Sequence, residues 1–311
     1  MDGNACAPWS QRLQRLEYGW YLPWIARLPL FSGYFLARAR GRFNAFLDRD
    51  WASLSLGRHY IRAQTSQAYS SFLDAGEAAS CLKERFETLA REEYEVWLVK
   101  NGRLDDLLVE TSDALERLSE RRPGRGLVLV TAHFDSFFLG VIALGRLGLK
   151  INVMTSNIVE DTRVHPSVRN HFSMKYRVWE SFLNGGKVVH AETSLRYFYE
   201  ALGKGEIVVI VTDGPATNDS GVWMPWFGKE RRIAGGALRM AVRTGSDIGA
   251  LICRFEGNGR HRLILAHPED PSLSHEESYR SMFSFLESHI LEHPGRWWGA
   301  HLLPSCEARE S

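Results

Sequence analysis

One stretch constrains this chain more than any other: Gly126-Leu-Val-Leu-Val-Thr-Ala-His-Phe-Asp-Ser-Phe-Phe-Leu-Gly-Val-Ile-Ala-Leu-Gly145. Leu127 to Val130 is an unbroken apolar, β-branched-rich run after Pro123 and Gly124, which predicts a buried parallel strand. His133, Phe134 and Asp135 follow at once. From Ser136 the apolar residues Phe137, Leu139, Ile142, Ala143 and Leu144 fit a buried helix. A His and an Asp therefore stand just past the carboxyl end of a strand, where open α/β sheets collect ligands. The helix start adds N–H groups and a positive dipole end. The plainer reading makes Asp135 or Ser136 an N-cap and His133 a turn residue.

The rest of the chain extends the pattern. Lys150–Thr155, Lys187–His190 and Glu206–Val211 read as strands, and Thr193–Leu202 and Ala234–Thr244 as helices. Ile248–Phe255 and Arg262–Ala266 form a hairpin across Gly257-Asn258-Gly259. Ser274–Glu292 is a final amphipathic helix, and residues 11 to 121 are mostly helical, including Gln67–Phe86, Glu92–Trp97 and Leu104–Leu118. Asn157–Trp179 is helical in part. This predicts an α/β fold, a mainly parallel central sheet with an antiparallel edge. Helices flank the sheet, and an N-terminal helical region precedes it. The division falls into residues 1–62 and 63–311.

A net charge of +1 argues against a nucleic-acid binder, but the charge is unevenly spread. Arg12, Arg15, Arg27, Arg38, Arg40, Arg42, Arg49, Arg58 and Arg62 face only Asp2, Glu17, Asp48 and Asp50 in the first fifth of the chain. Trp20, Tyr21, Leu22, Trp24, Ile25, Phe31, Tyr34 and Phe35 lie among them. A spanning helix needs roughly 20 apolar residues in a row, and Arg27, Pro23 and Pro29 interrupt this one. The mixture suits a membrane interface, or else a helical hairpin packed on the domain. Cys6, Cys81, Cys253 and Cys306 form no Cys-x-x-Cys pair, so neither a zinc site nor a disulfide framework is indicated, and a reducing compartment is expected. No secretory signal is evident. The expected location is cytoplasmic, peripheral on the inner face of the cell membrane.

A second strand end carries Asp213, followed by Gly214 and Pro215. Two strand ends can face one crevice, although Asp213 could merely begin a turn. Trp223, Met224, Trp226 and Phe227 precede Lys229, Glu230, Arg231 and Arg232. This grouping would suit an amphipathic ligand with an apolar chain and an anionic head; alternatively it is an aromatic plug beside solvated charge. Pro294 to His301 brings two tryptophans and a His together and is expected to close the domain.

Taken in order, these pieces resemble the bacterial lipid A biosynthesis acyltransferase family, within the wider glycerolipid and lysophospholipid acyltransferases. Leu28-Pro-Leu-Phe-Ser-Gly33 and Arg49-Asp50-Trp51 resemble its N-terminal region, and Thr131 to Leu139 its catalytic segment. Lys204-Gly205-Glu206 through Asp213, Pro225-Trp-Phe-Gly228, Thr244-Gly245 and Pro294 to His301 follow in family order. The resemblance implies a His-x4-Asp/Glu pair, but Phe138 stands where the carboxylate belongs. Asp135 is the expected substitute, and Asp213 matches the family's strand-end Asp. Lys187, in Asn184-Gly185-Gly186-Lys187, stands where the family's Arg is expected.

The function implied is transfer of an acyl group from a thioester, on acyl carrier protein or CoA, to a hydroxyl or amine of a lipid or related small-molecule acceptor. His133 would be general base, with Asp135 and Asp213 as catalytic carboxylates and the helix start steadying the oxyanion. Arg231, Arg232 and Lys187 would bind phosphate or other substrate groups. Trp223, Trp226 and Phe227 would hold the acyl chain. No metal or redox cofactor is required beyond the thioester co-substrate. The altered motif leaves two alternatives: transfer of an unusual acyl or aminoacyl group from a dedicated carrier protein, or a non-catalytic lipid- or carrier-binding relative. No Gly-x-Ser-x-Gly elbow supports a serine hydrolase.

Overall fold

The computed structural model of the protein describes residues 8–52, 59–120, 122–216, 221–267 and 272–309; Cys6 and Arg58 lie outside them. The apolar runs form the strands that their burial demands. In chain order these are β1 Leu108–Glu110, β2 Leu127–Thr131, β3 Ile151–Thr155, β4 Val188–His190, β5 Ile207–Val211, β6 Gly221–Trp226, β7 Lys229–Ala234, β8 Asp247–Gly257, β9 Arg260–Ala266 and β10 Glu307–Arg309. Seven make the central sheet, ordered β1-β9-β8-β2-β5-β3-β4. The five strands from β8 to β4 run parallel. The β8–β9 pair is antiparallel, through the hairpin that Gly257-Asn258-Gly259 predicts. All three turn residues have positive φ, the conformation that Gly and Asn tolerate.

Because strand side chains alternate between faces, β2 feeds two cores. Leu127 and Leu129 join one core with Phe138, Leu139 and Trp179. Val128 and Val130 join the other with Phe198, Leu238 and Phe283. Helices therefore cover both faces, as the continuous apolar runs of β2 and β5 require. The helix Leu30–Leu47 packs on the long helix Ala75–Lys100. At Gly41 an added Cβ would lie 2.5 Å from the Glu87 Cα, so only glycine permits this approach.

Three local expectations change. The run Leu104–Leu118 is not one helix: a 3₁₀ turn at Leu104–Asp106 leads into β1, and a helix covers Ser112–Ser119. Pairing of β1 with the edge of β9 outweighs the helical spacing. Gln67–Phe86 is split, because the helix Tyr60–Tyr69 stops and Asp74 caps a new one by accepting from the Glu77 N–H at 2.8 Å. The Trp223–Arg232 region is a β-hairpin, which with β10 makes a second, antiparallel sheet.

Candidate active site

Register places the central pair. Thr131 at the end of β2 lies beside Val211 at the end of β5. Two residues further along each chain stand His133 and Asp213, so neighbouring strands deliver them to the same point. The His133 Nδ1 lies 2.7 Å from Asp213 Oδ1, and the His133 backbone N–H donates to Oδ2 at 2.9 Å. The Trp297 indole N–H donates to the same Oδ2 at 2.7 Å. Asp213 is fully buried, whereas the His133 side chain is 31% exposed. Burial alone would raise the Asp213 carboxyl. The His133 charge and the hydrogen bonds from the His133 ring, Trp297 and the His133 amide outweigh it and hold the group below its ordinary value. The outcome is a carboxylate that fixes an imidazole whose other face is open.

The opening is a cavity of about 290 Å³ lined by His133, Phe137, Tyr176, Trp179, Lys175 and Trp298 among others. The Trp298 ring meets the His133 ring edge-on at 4.6 Å.

Asp135 is not the partner of His133. Its backbone turns into the left-handed region (φ 50°), and its side chain is fully buried on a different set of groups. One oxygen pairs with Arg91; the other accepts from the Phe255 N–H at 3.0 Å and from Arg296 at 3.1 Å. The left-handed turn aims the carboxylate away from the ring. The two amides just ahead of the helix Phe137–Arg146 are already engaged. The Asp135 and Ser136 N–H groups donate to Arg296 O (2.9 Å) and Cys253 O (3.1 Å). Phe138, in the family's carboxylate position, is buried and stacks on Trp179.

The substrate-binding expectations also move. Trp226 and Phe227 are buried; Trp226 packs edge-on to Phe283, and Phe227 stacks on Phe72 and Trp297. They wedge Trp297, and so the dyad, from behind. Trp223 is half-buried under Arg309. Arg231 is buried, donates to Trp226 O at 3.1 Å, and is pushed below its ordinary value by burial. Arg232 pairs with Glu307 at 3.4 Å. Lys187 precedes β4 at the amino-terminal end of the parallel strands, opposite His133, and is exposed. None of these six lines the His133 cavity. The hairpin of β6 and β7 buries the five from Trp223 to Arg232 or turns them outward, since its pattern serves a sheet and not a loop.

Sequence reasoning gave Pro294–His301 only the task of closing the domain. It does so by assembling the site. Phe134 and Trp297 form a bridge, and the Gly299 N–H donates to His133 O at 3.1 Å. The buried Arg85 donates to Trp298 O at 3.0 Å and pairs with buried Asp50 at 2.8 Å. His301 lies beside Arg85; burial first, then the Arg85 charge, push its ring down to about 4, so it is neutral. The two adjacent tryptophans beside a histidine were the available signal. At Gly299 an added Cβ would fall 2.6 Å from both Asp213 Oδ2 and His133 Cβ. Gly299→Ala is therefore expected to lose about 1–3 kcal/mol of stability and about tenfold in activity, read by chemical denaturation and turnover. A variant matching the parent in both would show that the close approach is dispensable.

A family model described as bacterial lipid A biosynthesis acyltransferase matches residues 79–302. The chain belongs to this family. It is an acyltransferase, and the family's acceptor is a lipid. The match spans β1 to β9, His133, Asp213 and the Trp297–Trp298 segment. No curated protein matches the chain.

Proposed function

We propose that this member of the lipid A acyltransferase family moves an acyl group from a thioester, on acyl carrier protein or CoA, to a hydroxyl or amine of a lipid, with His133 as general base and Asp213 as its carboxylate. The observation that carries the reading is the His133–Asp213 pair at 2.7 Å, half open to an aromatic-lined cavity. With Nδ1 directed at Asp213, Nε2 is the nitrogen that meets the acceptor. It takes the acceptor proton as the acceptor oxygen or nitrogen attacks the thioester carbonyl. The resulting tetrahedral intermediate collapses with cleavage of the C–S bond, and the imidazolium returns the proton to the leaving thiolate. Asp213 holds the tautomer and stabilises the imidazolium; general base catalysis of this kind is worth about 10²–10⁴-fold. Retention of a buried carboxylate on the imidazole favours this reading over a non-catalytic relative. Incubating the purified protein with acyl-carrier and CoA thioesters and a lipid acceptor should release free thiol only when the acceptor is present. Silence with every donor would end the proposal.

Peripheral contact with a membrane belongs to the same reading. Among the described residues no helix is long and apolar enough to cross a membrane. Phe31, Phe35, Phe43 and Phe46 are nevertheless exposed on Leu30–Leu47, with Phe46 82% exposed, and Trp20 and Trp24 stack in the open at 5.6 Å. Arg38 and Arg42 stand on the same helix, each paired with Glu87. A groove of about 610 Å³ on this side is lined by Phe31, Phe35, Arg38, Arg42 and Lys83. Exposed aromatics among arginines suit an anionic lipid surface. Replacing Phe31, Phe35 and Phe46 together by Ser removes apolar area worth roughly 1.5–3 kcal/mol per fully inserted ring. The full-length variant should lose at least about tenfold in partitioning to anionic vesicles, measured by flotation. Equal flotation would remove this surface from the account.

A further inference from the structure

The cavity beside His133 has a wall that a plain hydrocarbon pocket would lack. Lys175, on the helix Pro166–Glu180, lines it and is almost fully buried. Its ammonium lies against the rings of Trp179, Phe138 and Phe137 at 5.1, 5.7 and 5.9 Å. An ammonium carries three N–H donors, and among the described residues its one hydrogen-bond acceptor is Glu92 Oε1 at 2.6 Å. Buried donors find acceptors, so a group entering the cavity with an oxygen of its own meets a cation ready to donate. An unsubstituted chain would desolvate that ammonium and offer it nothing, at a cost.

Charge decides which oxygen fits. Lys175 is already neutralised by Glu92, and the next buried cations, Arg40 and Arg49, are matched by Glu93 and Glu17. His171, between these groups, is held well below its ordinary value by burial and then by Lys175 and Arg40, so it adds no charge. An incoming carboxylate would leave an uncompensated buried anion beside Glu92. A neutral acceptor (hydroxyl, keto or amide oxygen) would not.

We propose that the His133 cavity selects an acyl group bearing a neutral oxygen acceptor for Lys175. This rests on the thioester-transfer reading above and names its acyl class. The test uses the full-length protein with S-acyl pantetheines, which share their thiol with both donor types, and a lipid acceptor. The acyl groups are hexanoyl and tetradecanoyl, each beside its hydroxy isomers, and an N-acetylaminoacyl group. At a given chain length the best oxygen-bearing donor should exceed the unsubstituted one by at least about tenfold in kcat/KM. In Lys175→Met the ratio of oxygen-bearing to unsubstituted donor should fall to near one. Because that change strands Glu92, the double variant Lys175→Met/Glu92→Gln, which removes both charges, is measured beside it and should show the same collapse. A merely structural Lys175 would lower all donors together and leave the ratio intact, which would overturn the proposal. So would a preference for the unsubstituted donor at equal chain length in the parent protein. Thiol release from no donor at all is a different result, and it would overturn the transfer reading along with this one.

Discussion

Asp213→Asn should lower kcat/KM by about 10²–10⁴-fold, to the level of His133→Ala, while the protein stays folded. The reason is the tautomer. Asp213 Oδ1 faces His133 Nδ1, and as a carboxylate it can only accept, so the proton sits on Nδ1 and Nε2 is left as a base. An asparagine amide turned toward the ring would donate to Nδ1 and move the ring proton to Nε2, which then has no lone pair for the acceptor. Loss of the correct tautomer at an Asp–His pair costs up to about 10⁴-fold. Because the two residues act as one unit, the double variant should be no slower than either single one. An asparagine variant within threefold of the parent would remove Asp213 from the chemistry.

The same change has a pH signature. Asp213 lies below its ordinary value of 3.8 in the folded protein, with the His133 charge and three hydrogen bonds outweighing burial. Its contribution to stability is therefore fully present above that ordinary value and is lost as pH falls through the lower, folded one. The stability gap between parent and Asp213→Asn should hold at pH 5 and shrink below about pH 4. A gap that widens on acidification would contradict the assignment.

Asp135→Asn should do the reverse: lose stability and keep chemistry. Asp135 is fully buried between Arg91 and Arg296. Arg91 is itself raised above its ordinary value, with Asp135 and then Glu95 outweighing the effect of burial. Removing one partner of a buried ion pair costs about 3–5 kcal/mol. The lower end is expected here, because Arg296 is 22% exposed and Arg91 keeps Glu95 at 3.7 Å. The midpoint of chemical denaturation should fall accordingly, while kcat per folded molecule stays within threefold. A variant of parental stability with activity lost a hundredfold would restore Asp135 as the imidazole's partner and displace Asp213. The two substitutions together separate the carboxylate that orients the ring from the one that anchors the turn beneath it.

What the linear chain determined on its own is the set of buried strands, their mainly parallel order of succession, the hairpin at Gly257–Gly259, and the placing of His133 and Asp213 at strand ends. Each follows from local physics: β-branched apolar runs, glycine and asparagine where φ turns positive, and breaks in the pattern where a strand stops. The family resemblance was equally legible, because its motifs keep their sequence order. The pairing was not. Asp135 is two residues from His133 and Asp213 is eighty, yet adjacent parallel strands in register bring the distant one to the ring, and a left-handed turn takes the near one away. Nor could spacing show that Trp226 and Phe227 would be buried behind Trp297, or that Lys175 would reach the cavity from a helix some forty residues downstream of His133. Contacts of that kind depend on strand register and helix packing, which are properties of the assembled sheet and not of any stretch that contributes to it.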